Sequence, residues 1–168
     1  MTERSYICAI LTVSDRGFRG EREDLAGPEI QRVITSRGFT VITMDMVPDE
    51  IETIAGKLIH LADELRVDLV LTTGGTGLSP RDVTPEATRS VIQRDIPGMS
   101  QAMVASSLQK TPHAMLSRAV CGIRGRTLLV NLPGSPRAAR ENLEAVLSAI
   151  PHAIDKIQGD PTECAVPA

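Results

Sequence analysis

The sequence predicts an α/β fold: a single-domain three-layer sandwich in which a mostly parallel sheet is covered by helices on both faces. Two observations predict it. Continuous apolar runs, typical of strands buried on both faces, alternate with segments whose apolar residues have helical spacing. Hydrophobic residues make up 42% of the 168 residues and aromatic residues only 2%, so the core must be aliphatic. This length fits one domain, which we place at residues 1–158, followed by a frayed C-terminal tail at 159–168.

The first half of the chain predicts three strands and two helices between them. The strands are apolar runs at residues 7–13, 40–47 and 68–72. The polar, charged segment 14–27 predicts a mobile loop, after which Pro28 opens a helix that Gly38 ends. The second helix, at residues 51–65, has the clearest amphipathic spacing, and Asp49 with Glu52 three residues later resembles a capping box.

The second half predicts three more helices and a hairpin. One helix runs from Pro85 to about Ile92, with Thr84 as its cap and proline at its first position. Residues 97–108 predict another helix. Two short β-type runs, 119–123 and 127–132, predict a hairpin. The last helix is capped by Ser135 and extends from Pro136 to Ile157.

The most informative segment is the loop between the third strand and the helix at Pro85. It begins with Gly74-Gly75-Thr76-Gly77. Glycines adopt positive φ without strain, so their N–H groups can converge on a phosphate. A Walker loop is excluded because no lysine follows Gly77, and a dinucleotide fingerprint is excluded because Leu78-Ser79-Pro80 stands where the third glycine is needed. At about ten residues the loop exceeds the usual strand-to-helix connection of about 2–6, and such long loops often carry function.

Further polar loops follow other predicted strands and are expected to share one rim of the sheet with the glycine loop. They are Ser14 to Arg16, Pro48-Asp49 and Pro133 to Arg137. In parallel sheets, ligands bind outside the carboxyl ends of the strands, at a switch in strand order. A helix that starts after Pro133-Gly134 also directs free N–H groups at an anion, whether or not Ser135 is only a cap.

Two acidic residues belong to this expected rim. Asp82 beside a phosphate loop would repel its ligand unless a divalent cation lay between them, which indicates Mg²⁺; the alternative is a solvated loop residue. For Asp49 the residues alone favour a helix cap. Four arginines carry a guanidinium fork that can bind phosphate, although a surface ion pair is the alternative for each: Arg16, Arg81, Arg118 and Arg137.

Composition excludes several classes of function. With a net charge of −3 and no basic run with interleaved aromatics, nucleic acid is not an expected partner. No segment approaches the ~20 apolar residues of a membrane span, and the N-terminal apolar run is too short for a signal peptide, which predicts a soluble cytoplasmic protein. Cys8, Cys121 and Cys164 have no metal-binding spacing and predict reduced thiols, the first two in apolar strands.

These motifs together resemble the molybdopterin adenylyltransferase family, which includes the G domain of gephyrin. The resemblance is carried by the glycine loop through Thr88 and by five further segments in order: residues 11–15, 47–50, 115–118, 121–125 and 131–135. It implies that the protein transfers AMP from ATP to the terminal phosphate of molybdopterin, with release of pyrophosphate, in molybdenum cofactor biosynthesis. An ionised phosphate nucleophile needs alignment and charge neutralisation rather than a general base, and no Ser-His-Asp or Cys-His pairing is evident.

The resemblance also implies roles for particular residues and partners. Asp82 and Asp49 are implied to be catalytic and to hold Mg²⁺. The residues implied to contact nucleotide or pterin phosphates are Ser14, Gly74, Gly75, Thr76, Gly77, Arg81, Pro133, Gly134 and Ser135. ATP and molybdopterin are the implied substrates, the implied assembly is a homotrimer, and a molybdenum-insertion protein is a further partner. Met99, Met103 and Val104 on the 97–108 helix are expected to form a contact between copies.

Two alternatives stay open. The first is a non-catalytic molybdopterin-binding or scaffold protein of the same fold, as gephyrin's anchoring role illustrates. Asp49 and Asp82 argue against it, because a pure binder gains nothing from acids near phosphates. The second is a nicotinamide or flavin oxidoreductase, which the missing third glycine disfavours and an absorbance spectrum would test.

Overall fold

The computed structural model describes residues 5–161, which contain one six-stranded sheet. Its strands are β1 Tyr6–Val13, β2 Phe39–Val47, β3 Leu69–Thr73, β4 Arg94–Asp95, β5 Cys121–Arg124 and β6 Thr127–Leu132. Across the sheet they are ordered β2-β1-β3-β6-β5-β4. The first four in this order are parallel, and β5 and β4 are antiparallel to their neighbours. The predicted fold class and the predicted hairpin are confirmed, whereas the two-residue β4 had no sequence signal.

Seven α-helices lie between or after these strands in the described part of the chain. They are α1 Asp15–Phe18, α2 Ala26–Thr35, α3 Ile51–Ile59, α4 Thr84–Val91, α5 Pro97–Leu108, α6 Pro136–Val146 and α7 Ile150–Ile157. A π-helical turn, His60–Glu64, continues α3, and a 3-10 turn, Pro112–Leu116, follows α5. The single last helix predicted over 136–157 is therefore two helices. Within residues 5–161, no helix combines the length and the apolar composition that crossing a membrane requires.

The prediction of a mobile loop over residues 14–27 is wrong at both ends. Ser14 accepts a hydrogen bond from the backbone N–H of Gly17 and caps α1. At the other end α2 begins at Ala26 rather than Pro28, because Asp24 accepts hydrogen bonds from the N–H groups of Ala26 and Gly27 at 3.1 and 2.9 Å. Both helix starts depend on side chains that bind backbone a few residues away, a signal that composition obscures.

Two of the predicted caps also differ from the structure. The N-cap position of α3 is Glu50, and the Asp49 carboxylate instead accepts a hydrogen bond from the N–H of Asp15. Thr84 is the first residue of α4 and caps nothing with its side chain; its hydroxyl donates to the carbonyl of Gly74 at 2.9 Å. Both side chains bind a segment distant in sequence that the folded chain places beside them.

Apolar residues fill both faces of the sheet, as alternation along buried strands requires. On one face Ile30, Met103, Leu143 and Ile154, from four different helices, pack on Ile10, Leu71 and Val130. On the other face α3 and α4 contribute Leu58 and Ala87, which pack on Leu11, Val70 and Leu129. Met99 and Met103 are only 8% and 1% exposed in this core, so the expectation that they form a contact between copies is wrong.

The cysteine prediction holds for the two cysteines that the structure describes. Cys8 and Cys121 are free, buried thiols in β1 and β5, and burial raises the pKa of Cys121 to about 12. Cys164 lies outside the described residues, as do residues 162–168 of the predicted tail. The domain boundary at residue 158 stays a prediction.

A buried polar network joins the sheet to α4. Asn131 in β6 is fully buried and donates from Nδ2 to the hydroxyls of Thr72 and Thr88 at 2.9 and 3.0 Å. Its Oδ1 accepts a hydrogen bond from the N–H of Val120 at 3.1 Å. A single side chain thus fixes β3, β6, α4 and the segment that enters β5, next to the glycine loop.

We predict that Asn131→Ala lowers the free energy of unfolding by about 3 kcal/mol, because it leaves two hydroxyls and one N–H buried without this partner. Urea unfolding monitored by circular dichroism measures the change. Thr35→Ala, at an exposed hydroxyl of α2, is the control and is expected to stay within about 0.5 kcal/mol of wild type. An Asn131→Ala protein as stable as this control would contradict the assigned role of the network.

Candidate active site

A cavity of about 350 Å³ opens at the carboxyl ends of the parallel strands. It includes the switch between β1 and β3, where the chain connects to opposite sides of the sheet. The predicted site residues that line it are Ser14, Asp49, Gly74, Gly75, Asp82, Gly134 and Ser135. The structure therefore brings together the loops that sequence reasoning placed on one rim.

The remaining predicted residues lie elsewhere around the same loops. Thr76, Gly77 and Pro133 line a second cavity of about 280 Å³. This second cavity also has Val104 of α5 and Leu116 in its wall. The glycine loop and the segment before α6 therefore separate two cavities, and Arg81 lines neither of them.

A side chain at each glycine of the loop would meet a different obstacle. Gly74 and Gly75 have φ of +99° and +67°, which confirms the predicted positive φ for these two residues but not for Gly77. A Cβ on Gly74 would lie 2.3 Å from the carbonyl oxygen of Val13, and one on Gly75 would lie 2.3 Å from Thr84 Oγ1. At Gly77 the obstacle is Asp82, whose Oδ2 would be 2.8 Å away.

The loop offers backbone donors. Within residues 5–161, the N–H groups of Gly75, Thr76 and Gly77 donate no hydrogen bond. Thr76 is nevertheless buried. Because buried backbone donors are almost always paired, consecutive N–H groups at the end of a strand are suited to bind an anion.

The start of α6 adds a second positive element to the rim. Ser135 accepts a hydrogen bond from the N–H of Ala138 at 3.2 Å, which confirms the predicted cap, and Pro136 is the first helical residue. Gly134 packs closely on Gly74: a Cβ added to Gly134 would lie 3.3 Å from the Cα of Gly74. The partial positive charge at the N-terminus of an 11-residue helix therefore lies beside the glycine loop.

The two predicted acids line this cavity in different settings. The carboxylate of Asp49 accepts a hydrogen bond from the N–H of Asp15 at 2.8 Å, and the N–H of Asp49 donates to Asp15 Oδ1 at 3.0 Å. Burial raises the pKa of Asp49 above its ordinary value of 3.8, and the nearby charges of Asp15 and Asp82 raise it further. The carboxylate of Asp82 accepts a hydrogen bond from the N–H of Ser79 at 3.0 Å.

Arg81 forms an ion pair at the outer edge of the site. Its Nε and Nη2 each donate to the carboxylate of Asp15 at 2.9 Å. This pair holds the pKa of Asp15 below its ordinary range. A phosphate that used the same guanidinium face would have to displace Asp15, so the phosphate contact of Arg81 stays a prediction.

Sequence reasoning missed three residues around the cavity. Asp15 was part of a motif but had no assigned role. Its position directly after Ser14, at the end of the first strand, could have indicated that it belongs to the site. Asp24, which lines the cavity and accepts a hydrogen bond from Thr12 Oγ1 at 2.6 Å, lay in a segment predicted to be a loop. Arg118 was weighed as a phosphate ligand or a surface ion-pair residue, and neither role included the carbonyls of the glycine loop that its guanidinium binds.

We predict that Gly75→Ala destabilises the protein more than Gly20→Ala. Both glycines have positive φ, +67° and +73°, but Gly20 has open space where a Cβ would be. Gly20→Ala should therefore cost about 1–2 kcal/mol for backbone strain alone, and Gly75→Ala should add about 1–3 kcal/mol for displacing Thr84 and Asp49. Urea unfolding of both variants measures the difference, and equal losses would show that the space at Gly75 is not restricted.

We also predict that Asp82→Asn lowers the pKa of Asp49, because it removes a like charge from the same cavity. Because the pKa of Asp49 is raised in the folded protein, its ionisation opposes folding: stability falls as pH rises from the ordinary value of 3.8 through the raised one. Carboxyl ¹³C NMR titration measures the pKa, with Asp49→Asn to assign the signal and Asp95→Asn, at an exposed residue of β4, as control. If the pKa of Asp49 is the same in Asp82→Asn as in wild type, the charge of Asp82 does not raise it and the prediction is wrong.

This chain is similar in sequence to known proteins over most of its length. A family model described as a probable molybdopterin binding domain matches residues 9–152. A molybdopterin adenylyltransferase from Helicobacter pylori strain J99 is 45% identical over 153 residues, which are 90% of this chain and 87% of that protein. Gephyrin from Dictyostelium discoideum is 47% identical over 95% of this chain, but the match spans only 23% of that longer protein.

Solved structures with a similar fold are also proteins of molybdopterin biosynthesis. The molybdopterin biosynthesis enzyme MoaB from Thermus thermophilus superposes with a TM-score of 0.88 at 51% identity, covering 94% of this chain and 99% of that one. The family model covers most of the chain, and the Helicobacter relative and the Thermus structure are 45% and 51% identical over at least 90% of it. The chain therefore belongs to the family of the probable molybdopterin binding domain.

Proposed function

We propose that this protein is a molybdopterin adenylyltransferase, which transfers AMP from ATP to the terminal phosphate of molybdopterin in molybdenum cofactor biosynthesis. The observation that carries the proposal is the 350 Å³ cavity, in which donors for phosphate and two carboxylates, Asp49 and Asp82, line the same space. The relatives that have this name match about nine tenths of the chain. A protein that only bound an anionic pterin would be weakened by acids at this place, whereas nucleotidyl transfer can use them.

The chemistry needs alignment of two polyanions. An oxygen of the terminal molybdopterin phosphate attacks the α-phosphorus of ATP, the new P–O bond forms, and the bond to the β-phosphate oxygen breaks to release pyrophosphate. The attacking oxygen is already ionised, so no side chain has to remove a proton. The N–H groups of residues 75–77 and the start of α6 would donate to phosphate oxygens and offset their repulsion.

The residues present fit Mg²⁺ as the cation of this reaction. Within residues 5–161, no group of three or more His, Cys, Asp and Glu side chains could hold a metal ion by itself. Two carboxylates on one cavity suit Mg²⁺, which typically binds one or two carboxylates together with substrate phosphates. Asp49 and Asp82 would hold the ion, which when bound neutralises charge on the transferring phosphoryl group. The raised pKa of Asp49 shows that its charge is costly in this cavity, and a cation would offset that cost.

A direct assay tests the proposed function. The purified full chain is mixed with ATP, Mg²⁺ and molybdopterin, and adenylated pterin and pyrophosphate are measured. We expect both products in equal amounts. Binding of molybdopterin without formation of either product would instead support the non-catalytic binding protein, which the likeness to gephyrin keeps as the second candidate.

We predict that Asp82→Asn lowers the adenylation rate by about 10²-fold or more, roughly 3 kcal/mol of transition-state stabilisation, while molybdopterin affinity is retained. Asparagine can still accept the hydrogen bond from the N–H of Ser79, so the loop should keep its fold. Single-turnover kinetics at saturating pterin, with a melting curve, measure both effects.

The exposed Asp95→Asn is the control for Asp82→Asn and should keep the wild-type rate. If Asp82 is only a solvated loop residue, its replacement should change stability by less than about 0.5 kcal/mol and leave activity intact. Unimpaired Mg²⁺-dependent adenylation by folded Asp82→Asn would refute the catalytic role.

We also propose a homotrimer. The family resemblance implies the number of copies, and the support for a contact between copies is the apolar surface at the end of α5 and in the following 3-10 turn, where Leu108, Met115 and Leu116 are exposed at 40%, 64% and 46%. Such neighbouring exposed apolar side chains are typical of a contact surface. Sedimentation analysis of the full chain tests the assembly. The cytoplasm as compartment and a molybdenum-insertion protein as partner stay predictions.

A further inference from the structure

Arg118 binds the glycine loop at both ends. Its backbone N–H donates to the carbonyl of Thr76 at 3.0 Å, and its Nε donates to the carbonyl of Gly77 at 2.8 Å. Its Nη2 donates to the carbonyl of Asp82 at 2.5 Å, and its Nη1 forms an ion pair with Glu86 in α4. One residue thus fixes the start of the loop, its end and the helix that follows.

The loop has few other attachments. Inside it, the N–H of Asp82 donates to the carbonyl of Ser79 at 2.8 Å and the Asp82 carboxylate accepts from the N–H of Ser79, so these two residues close one turn. Among the hydrogen bonds of the described chain, residues 77–82 are joined to the rest of the protein by Arg118 and by the pair of Arg81 with Asp15. The Arg81 side chain is 59% exposed and that of Arg118 only 33%, so Arg118 is the more protected attachment.

We propose that Arg118 is a positioning residue for AMP transfer, which sets the place of the Asp82 carboxylate, rather than a phosphate ligand. The inference rests on the proposed function. A guanidinium is planar and holds its donors in fixed directions, whereas a lysine ammonium is a point charge that cannot reproduce this geometry. All three guanidinium nitrogens of Arg118 already bind protein acceptors, so a phosphate contact would require breaking the attachment of the loop.

The first test is Arg118→Lys, which keeps the charge and loses the fork. We expect kcat to fall by about 10²-fold, as displacement of a catalytic group by about 1 Å typically does, with little change in KM for molybdopterin. KM should hold because the loop N–H groups and the start of α6 remain. Arg118 acting as a phosphate ligand would instead raise KM with kcat retained, and that result would overturn the proposal.

Arg124 offers a matched control. It also donates three side-chain hydrogen bonds, two to Asp63 at 3.0 and 2.6 Å and one to the carbonyl of Val91 at 2.8 Å, but it lines neither cavity. Arg124→Lys therefore removes a comparable fork and should keep the wild-type kcat. An equal loss of kcat in both variants would show a general effect on the fold and overturn the positioning role.

Chemical rescue separates positioning from general destabilisation. In Arg118→Ala, added guanidinium ion can occupy the space beside the carbonyls of Gly77 and Asp82 and should restore part of kcat. Arg118→Ala without any recovery, while melting like wild type, would count against the role of the guanidinium.

Hydrogen exchange gives a readout that needs no activity. Mass spectrometry of the segment 77–84 should show faster amide exchange in Arg118→Lys than in wild type and Arg124→Lys, with exchange of α2 unchanged. If the wild-type protein transfers no AMP, the proposed function fails, and the loop attachment is then judged by exchange alone. Equal exchange in all three proteins would overturn it.

Discussion

The close passage of the chain past the end of β1 is the constraint on which the site depends. After β3 the backbone turns at Gly74 with φ of +99°, and a Cβ there would lie 2.3 Å from the carbonyl oxygen of Val13. Only glycine can occupy this position, because both the backbone conformation and the space exclude a side chain. The turn brings Gly75 to the same cavity as Gly134 and Ser135 before α6, so the glycine loop and the start of that helix both line it.

The same arrangement places charges at a cost to stability. Asp49 is partly desolvated and lies near the charges of Asp15 and Asp82, so its pKa is raised. A fold selected only for stability would not keep these carboxylates together, since like charges in a shared cavity repel one another. Such perturbed acids are common at functional sites, where a substrate or cation compensates for them. The acids and the phosphate donors are therefore best understood as parts of one binding system.

Rigid attachments keep the loops in place around this system. Asn131 fixes α4 to the sheet through buried hydrogen bonds, and Thr84 joins α4 to the carbonyl of Gly74. Arg118 adds a fork that reaches Gly77 and Asp82. Catalytic groups on a loop need this kind of support, because small displacements remove much of the benefit of alignment. The long loop is thus fastened at both ends.

The sequence by itself determined the fold class, the strands of the parallel sheet, the glycine loop and the family, because apolar periodicity, glycine spacing and ordered motifs are local properties of the chain. It did not determine what Asp49, Thr84, Asp15 and Arg118 bind. Local patterns predicted caps for Asp49 and Thr84, predicted a phosphate contact or a surface ion pair for Arg118, and assigned no role to Asp15. In the structure each of these residues binds a segment between 10 and 66 residues away. Only the tertiary structure decided these pairings, because a polar side chain binds whichever partner the folded chain brings within hydrogen-bonding distance, and that distance is not encoded in neighbouring residues.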